Sequence, residues 1–175
     1  MNSLKHEMRR MFEEKKSHGF SNNKILEEGL LEKIISLSLM NLYIFRPEPL
    51  DIIALKSPKA RQKLFMLSNN QKRILDAAVV LIILADAPVG FDKAVAERAR
   101  HWSDLLIMSL MYAAKCYAVD FYPVDGLDLD SLKENFQIGT HKDIMSVACL
   151  GYFDDCSVSY AWENRRFYHH MVKEI

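Results

Sequence analysis

The chain has 175 residues, half of them hydrophobic, and its 23 basic residues balance 23 acidic ones. This length and apolar content suit a single domain over residues 1–175 with a sizeable core. Because the net charge is zero, no overall field draws the chain to nucleic acid or to anionic lipid, and any functional charge must be local.

Cysteine usage and the longest apolar run bear on where the protein resides. Cys116, Cys149 and Cys156 are odd in number and are not spaced as a zinc or redox motif, which favours a reducing compartment. The apolar run over 77–85 is too short to cross a bilayer as a helix. Residues 1–16 are charged throughout and lack the apolar core of a signal peptide. The sequence therefore predicts a cytoplasmic protein.

The first half of the sequence predicts helices over 4–16, 25–39 and 57–67 and strands over 50–55 and 79–85. The first two helices follow from apolar residues at helical spacing. The third begins at Ser57 and Pro58, because proline is well placed in a first helical turn. The run over 79–85 is typical of a strand covered on both faces, although a buried helix has the same pattern.

The second half predicts helices over 93–118 and 130–136, a short strand at 121–122, a turn over 123–126 and a strand over 146–152. The first of these helices, as one or two segments, is apolar on nearly every side in its second half, which indicates burial within the domain or in a subunit interface. Asp130 stands near the N-cap of the second. We expect an α+β fold in which helices surround a small mixed or antiparallel sheet and a long buried helix is central.

Charge and hydrogen-bonding capacity are concentrated in KKSHGF, residues 15–20, ahead of the second predicted helix. A solvated charged turn is the ordinary interpretation of so short a basic cluster. The alternative is a phosphate site, because Lys15, Lys16 and Ser17 can supply charge-assisted hydrogen bonds at a loop that leads into a helix. The hexapeptide alone favours the charged turn.

The order of the sequence segments resembles that of the nitroreductase-like flavoprotein family. KKSHGF is similar to a basic Arg-Arg-Ser segment that the family places before an aromatic residue and a helix. QKRILDAAVVLIILAD, residues 71–86, is similar to its glutamine, aspartate-alanine pair and central strand, and ACLGY, residues 148–152, to its last core strand. YPVDGLD, residues 122–128, is similar to its Pro-x-Glu-Gly-Phe-Asp turn, with Asp125 in place of the glutamate. The resemblance covers roughly residues 15–170.

Family members hold flavin mononucleotide (FMN), so the resemblance implies a binding site for that cofactor. The basic segment and a C-terminal arginine pair would approach the phosphate, and the glycine-containing turn would face the isoalloxazine ring. The implied cofactor-binding residues are Lys15, Lys16, Ser17, Arg46, Asp125, Gly126, Arg165 and Arg166. An exposed surface charge is the alternative for the arginine pair. No catalytic side chain is implied, because a flavin carries out the transfer itself.

The segment before the first predicted sheet strand departs from the family pattern Asn-x-Gln-Pro-Trp. If Pro47 is the shared proline, Ile44, Arg46 and Glu48 replace the asparagine, glutamine and tryptophan. Arg46 would then face an anionic part of the flavin or substrate, or pair with Glu48. The short stretch between Asp86 and Trp102 leaves little room for a substrate lid, so we expect a small or open pocket.

The resemblance, together with the positions where the sequence departs from the family pattern, leads to two possible functions. The first is a homodimeric FMN-dependent oxidoreductase with flavin at its interface, which takes electrons from NADH or NADPH and reduces a small nitro compound, quinone or related acceptor in a ping-pong reaction. The second is a protein of the same fold that has weakened or lost flavin binding and acts as a binding or interaction module. The altered segment and the lysines in place of arginines favour the second, but the oxidoreductase is the function that the sequence predicts and the module is the alternative.

Overall fold

The computed structural model describes residues 15–16, 19–21, 24–42, 50–86, 93–154 and 158–159. The helices in these ranges are α1 (Leu30–Leu42), α2 (Pro58–Met66), α3 (Arg73–Asp76), α4 (Lys93–Cys116) and α5 (Leu129–Asn135). The strands are β1 (Lys15–Lys16), β2 (Leu50–Leu55), β3 (Val79–Asp86), β4 (Asp120–Val124), β5 (Lys142–Gly151) and β6 (Val158–Ser159). Within these ranges no helix has both the length and the apolar content needed to cross a membrane.

A four-stranded sheet with the order β2-β3-β5-β4 forms the centre of the fold, and every neighbouring pair of strands is antiparallel. Strands β1 and β6 form a separate antiparallel pair. The predicted α+β fold with a small antiparallel sheet surrounded by helices is confirmed.

Two layers of helices cover the sheet, and strand β3 alternates between them. On one side, here the α2/α5 face, the buried side chains come from β3 and from helices α2, α3 and α5, and include Val80, Ile82, Leu84, Leu64, Ile74 and Leu132. On the other side, the α1/α4 face, they include Val79, Leu81, Ile83, Ile34, Leu106 and Leu110. Burial on both faces explains why the sequence of β3 is continuously apolar.

Helix α4 is the long helix that the sequence predicts, and it forms one continuous element. Leu106, Leu110 and Ala114 are buried against the sheet and α1. Leu105 and Met108 point away from this contact and are 36% and 47% exposed. Packing among the described residues therefore does not explain why positions 105 and 108 are apolar.

Several predicted boundaries are wrong, and local chemistry explains the differences. The first predicted helix does not extend to Lys16, which lies in β1, and its earlier residues lie outside the described ranges. Helix α1 begins at Leu30 because Gly29 adopts a φ of +74° that interrupts a helix. The N-cap of α5 is Asp128 rather than Asp130, and its carboxylate accepts a hydrogen bond from the Ser131 amide.

Strands β4 and β5 are both longer than the sequence predicts. Strand β4 continues through Pro123, which an edge strand tolerates because the missing N–H need not face a partner. Strand β5 begins at Lys142, where the Lys142 ammonium donates to Asp86 at 2.7 Å and also to Asp51. The register between β3 and β5 shifts by one residue, so Met145 forms a bulge between Ile144 and Ser146.

Candidate functional site

The turn that follows β4 consists of Asp125 and Gly126 and is called the glycine turn here. Both residues are exposed, and Gly126 has a φ of +72°. A Cβ at this position would meet no atom within 4 Å, so the space is open and the requirement for glycine is conformational.

Side chains from the connection between α2 and α3 hold both carbonyls of the glycine turn. Gln71 Nε2 donates to the Asp125 carbonyl at 2.8 Å, and Asn69 Nδ2 donates to the Gly126 carbonyl at 3.3 Å. In a trans peptide the C=O and the following N–H point in opposite directions. The amides of Gly126 and Leu127 therefore point away from Gln71 and Asn69.

These two amides have hydrogen-bonding capacity left over. Neither the Gly126 nor the Leu127 amide donates to another residue in the part of the chain that the structure describes. An exposed, unpaired N–H at a fixed orientation is available to an acceptor on a ligand.

A cleft of about 240 Å³ lies beside the glycine turn, between β4, β5 and α4. Its walls include Ile107, Leu127, Leu129, Met145 and Ser146. The bulge in β5 explains how both Met145 and Ser146 reach this side, because two successive residues then oppose one on β3. The Ser146 hydroxyl lies 3.3 Å from the buried Ser103 hydroxyl, and the cleft combines apolar side chains with the polar groups of the glycine turn.

The segment that contains the predicted phosphate-binding residues runs antiparallel to a late segment of the chain. Lys15 lies opposite Ser159 and Lys16 opposite Val158. The pairing continues inward, where the Ser21 amide donates to the Tyr152 carbonyl at 2.7 Å. The Phe20 ring is 1% exposed and its centroid is 4.8 Å from that of Phe153. The structure therefore places Lys15 and Lys16 beside residues 158–159, and residues 19–21 beside residues 152–154.

Four of the eight predicted cofactor-binding residues lie in the described ranges. Asp125 and Gly126 form the turn that the sequence predicts, and the backbone of Lys15 and Lys16 lies in β1. The remaining predicted residues lie outside the described ranges, and these are Ser17, Arg46, Arg165 and Arg166. Asn69 and Gln71 were not predicted as site residues, although Gln71 belongs to the motif over 71–86 that carries the resemblance.

Several solved structures share this architecture over almost the whole length of both chains. A proposed nitroreductase from Bacillus subtilis aligns with a TM-score of 0.82 at 14% identity, covering 98% of this chain and 100% of that one. A proposed nitroreductase from Exiguobacterium sibiricum, solved in complex with FMN, aligns with a TM-score of 0.76 at 14% identity over 97% and 96% of the two chains. The chain has the nitroreductase fold.

A proposed NAD(P)H:FMN oxidoreductase from Staphylococcus epidermidis has the same nitroreductase fold, with a TM-score of 0.76 at 15% identity over 96% of this chain and 95% of that one. No protein-family model matches the sequence, and no curated protein matches it. The resemblance that the sequence predicts is confirmed for the fold, at identities too low to assign an activity.

The glycine turn of this nitroreductase fold suits the polar edge of a flavin ring. Such a ring has flat apolar faces and an edge of nitrogen and carbonyl acceptors, and the cleft offers apolar walls with free amides at its rim. The cleft is smaller than the roughly 300–1,000 Å³ of a typical ligand pocket. The described residues of one chain therefore fit part of the ring.

Proposed function

We propose that the protein is an FMN-dependent oxidoreductase that takes electrons from NADH or NADPH and passes them to a small acceptor such as a nitro compound or a quinone. The observation that carries the proposal is the glycine turn, whose Gly126 and Leu127 amides are unpaired among the described residues and turned away from their supports. The nitroreductase fold of the FMN complex from Exiguobacterium sibiricum supports flavin as the ligand of this turn.

The glycine turn would act by orientation and electrostatics. FMN, when bound, supplies the hydride and electron transfer. The Gly126 and Leu127 amides would donate to the acceptor edge of the ring, where reduction increases electron density. Gly126 without a Cβ would let the backbone approach the ring closely. Ile107 and Met145 would exclude water from one face of the ring.

The phosphate would be bound by the basic residues of the two paired segments. Lys15, Lys16 and Ser17 come from the first segment, and the pairing of Lys15 with Ser159 supports an approach by Arg165 and Arg166, since Arg165 follows Ser159 by only six residues. A lysine ammonium would hold the phosphate as a point charge, without the planar fork of arginine. Arg46 would contribute a positive charge toward an anionic part of the flavin or the acceptor.

A homodimer with flavin at its interface is part of the proposal. The small cleft leaves part of the ring to be covered, and the outer side of α4 exposes Leu105 and Met108. A second copy of the chain would bury these side chains and complete the pocket. We place the protein in the cytoplasm, because buried Cys149 and exposed Cys116 are free thiols.

The proposed function is tested by the absorbance spectrum of the purified protein, before and after FMN is added and excess removed by desalting. We expect retained flavin bands that bleach on anaerobic addition of NADH or NADPH and return when a quinone is supplied. A colourless protein that does not retain FMN would contradict the proposal and favour the alternative, a binding or interaction module that has lost the cofactor.

The phosphate assignment predicts the behaviour of one double variant. Lys15→Ala with Arg165→Ala should weaken FMN binding at least tenfold, because each charge-assisted hydrogen bond contributes about 1.5–3 kcal/mol. FMN fluorescence quenching measures the dissociation constant. Lys59→Ala with Arg100→Ala removes the same charge from the exposed surfaces of α2 and α4 and serves as the control. Equal affinity in both double variants would show that the assignment is wrong.

A further inference from the structure

We propose that Asn69 and Gln71 are positioning residues that fix the glycine turn with its free amides facing the cleft. The two side chains together are called the amide clamp. The role of the clamp toward a flavin rests on the proposed function, whereas its hold on the turn does not.

The clamp belongs to the connection between two helices on the other face of the sheet from α4. It lies between α2 and α3, which pack on the α2/α5 face, whereas residues of both faces line the cleft, with Val124 and Val147 on the α2/α5 face and Ile107 and Met145 on the other. Neither clamp residue lines the cleft. Because the two carbonyls are drawn toward the clamp, the Gly126 and Leu127 amides point away from it, and both residues line the cleft.

The connection that carries the clamp is itself held in place. The Ser68 side chain is fully buried, its hydroxyl donates to the Phe65 carbonyl at 2.8 Å, and it accepts from the Gln71 amide at 3.3 Å. Asn69 and Asn70 both have positive φ angles, of 52° and 58°, which asparagine adopts more readily than most residues. The chain therefore reverses within two residues and presents two side-chain amides on one side.

Two hydrogen bonds to adjacent carbonyls fix the orientation of the glycine turn. One bond alone would leave the turn free to rotate about that bond. The clamp residues stand 57 and 54 residues before the carbonyls they hold, so their contacts are tertiary and not part of a local turn. A ligand that accepts hydrogen bonds from the Gly126 and Leu127 amides would meet donors already oriented. Such preorganisation is what electrostatic stabilisation of a reacting group requires.

The test uses variants of the same shape that exchange each donor for an ionised acceptor, so each lost donor is accompanied by a negative charge. Asn69→Asp with Gln71→Glu keeps the size of both side chains and the tolerance for positive φ at position 69 but replaces the NH₂ groups by carboxylate oxygens. Asn70→Asp is the matched control, because Asn70 shares the positive φ and has no hydrogen bond to the glycine turn. Gln71→Lys, which restores a donor of similar reach, is the rescue variant.

The first readout is the ¹⁵N order parameter of the Gly126 and Leu127 amides in protein free of FMN. In the wild type and the control we expect values near 0.85, typical of rigid backbone, and in the double variant values below about 0.6. The second readout is the affinity for FMN and the midpoint potential of the bound flavin. The double variant should bind about tenfold more weakly and have a more negative potential, and Gln71→Lys should recover part of both losses.

If the double variant unfolds more easily but keeps its order parameters, and its FMN affinity stays within twofold of the control, the clamp is merely structural and the proposal is wrong. A wild type that binds no FMN would overturn the proposed function and the cofactor role of the clamp together. The order parameters of the FMN-free protein would still decide whether Asn69 and Gln71 hold the turn.

Discussion

Cys149 is a buried thiol of β5 that the proposed reaction does not use. Its side chain lies on the α2/α5 face of β5 and is inaccessible to solvent. Burial raises the pKa of this thiol from 9.0 to about 12, and the nearby charges of Arg73 and Arg61 offset only part of that rise. Since the thiolate is the reactive form, Cys149 is not a nucleophile at neutral pH.

The raised pKa of Cys149 predicts a loss of stability in alkali. Above pH 9 the thiol ionises in the unfolded chain but keeps its proton in the folded chain, so the free energy of unfolding falls as pH rises from about 9 toward 12. The contribution has a limiting slope of about 1.4 kcal/mol per pH unit. Urea titrations between pH 8 and pH 10.5 measure it. Cys149→Ala removes this contribution and should show a shallower decline, whereas parallel curves would contradict the prediction.

At the scale of single residues, the sequence predicts the glycine turn but not the amide clamp. Asp125 and Gly126 form a favoured turn pair that is visible in the sequence itself. Asn69 and Gln71 act on carbonyls more than 50 residues away, and nothing in the local sequence indicates that contact. The consecutive Asn69 and Asn70 do indicate a reversal of the chain, but not the element it faces.

Among the elements, the contact of residues 19–21 with 152–154 depends on Phe20. Its ring packs on Phe153 and lies over Gly151, where a Cβ would come within 2.9 Å of the Phe20 ring. Gly151 therefore provides the space that the ring occupies. Strands β1 and β6, which pair with each other, precede residue 19 and follow residue 154 in the chain.

Replacing Phe20 tests how firmly this contact holds the fold. Phe20→Ala should lower the free energy of unfolding by about 3 kcal/mol, because a fully buried ring is removed and a cavity remains. Phe20→Leu, which keeps most of the volume, should lower it by about 1 kcal/mol. Urea denaturation measures both. A loss below about 1 kcal/mol for Phe20→Ala would show that the contact contributes little.

Elements with strong local signals are predicted best. Helix α2 begins where the sequence predicts because the Ser57 hydroxyl accepts from the Ala60 amide at 3.2 Å and Pro58 occupies the first turn. Helix α3 is missed because four residues carry no periodicity. The extent of β4 depends on its edge position, which only the assembled sheet defines.

For the whole molecule, exposed Leu105 and Met108 on the outer side of α4 predict assembly into a homodimer. Leu105→Lys with Met108→Lys should convert the protein to a monomer and reduce FMN retention, because charged side chains would have to be buried in the interface. Light scattering at micromolar concentration measures the mass. Met66→Lys, at the end of α2 and 67% exposed, is the control. A wild type that is already monomeric would contradict the prediction.

The fold as a whole was predicted from the order of weak sequence motifs. The structure shows which features of those motifs are compatible with a sequence identity of only 14% to a protein of the same fold. In this chain the apolar pattern of β3 covers both faces of the sheet, and the turn after β4 contains a glycine of positive φ. These features are set by burial and backbone geometry, which many side chains satisfy. The sequence around Arg46 has no such pattern.

The bulge at Met145 makes strand β5 tolerant of a change that strands normally resist. Deleting a residue from a regular strand turns every side chain beyond it to the opposite face. Deleting Met145 would instead join Ile144 to Ser146 in regular alternation, with Ile144 still on the α2/α5 face and Lys142 still beside Asp86. A shortened descendant of this chain could thus keep its sheet and lose a wall of its cleft, so evolution can vary the pocket by length as well as by substitution.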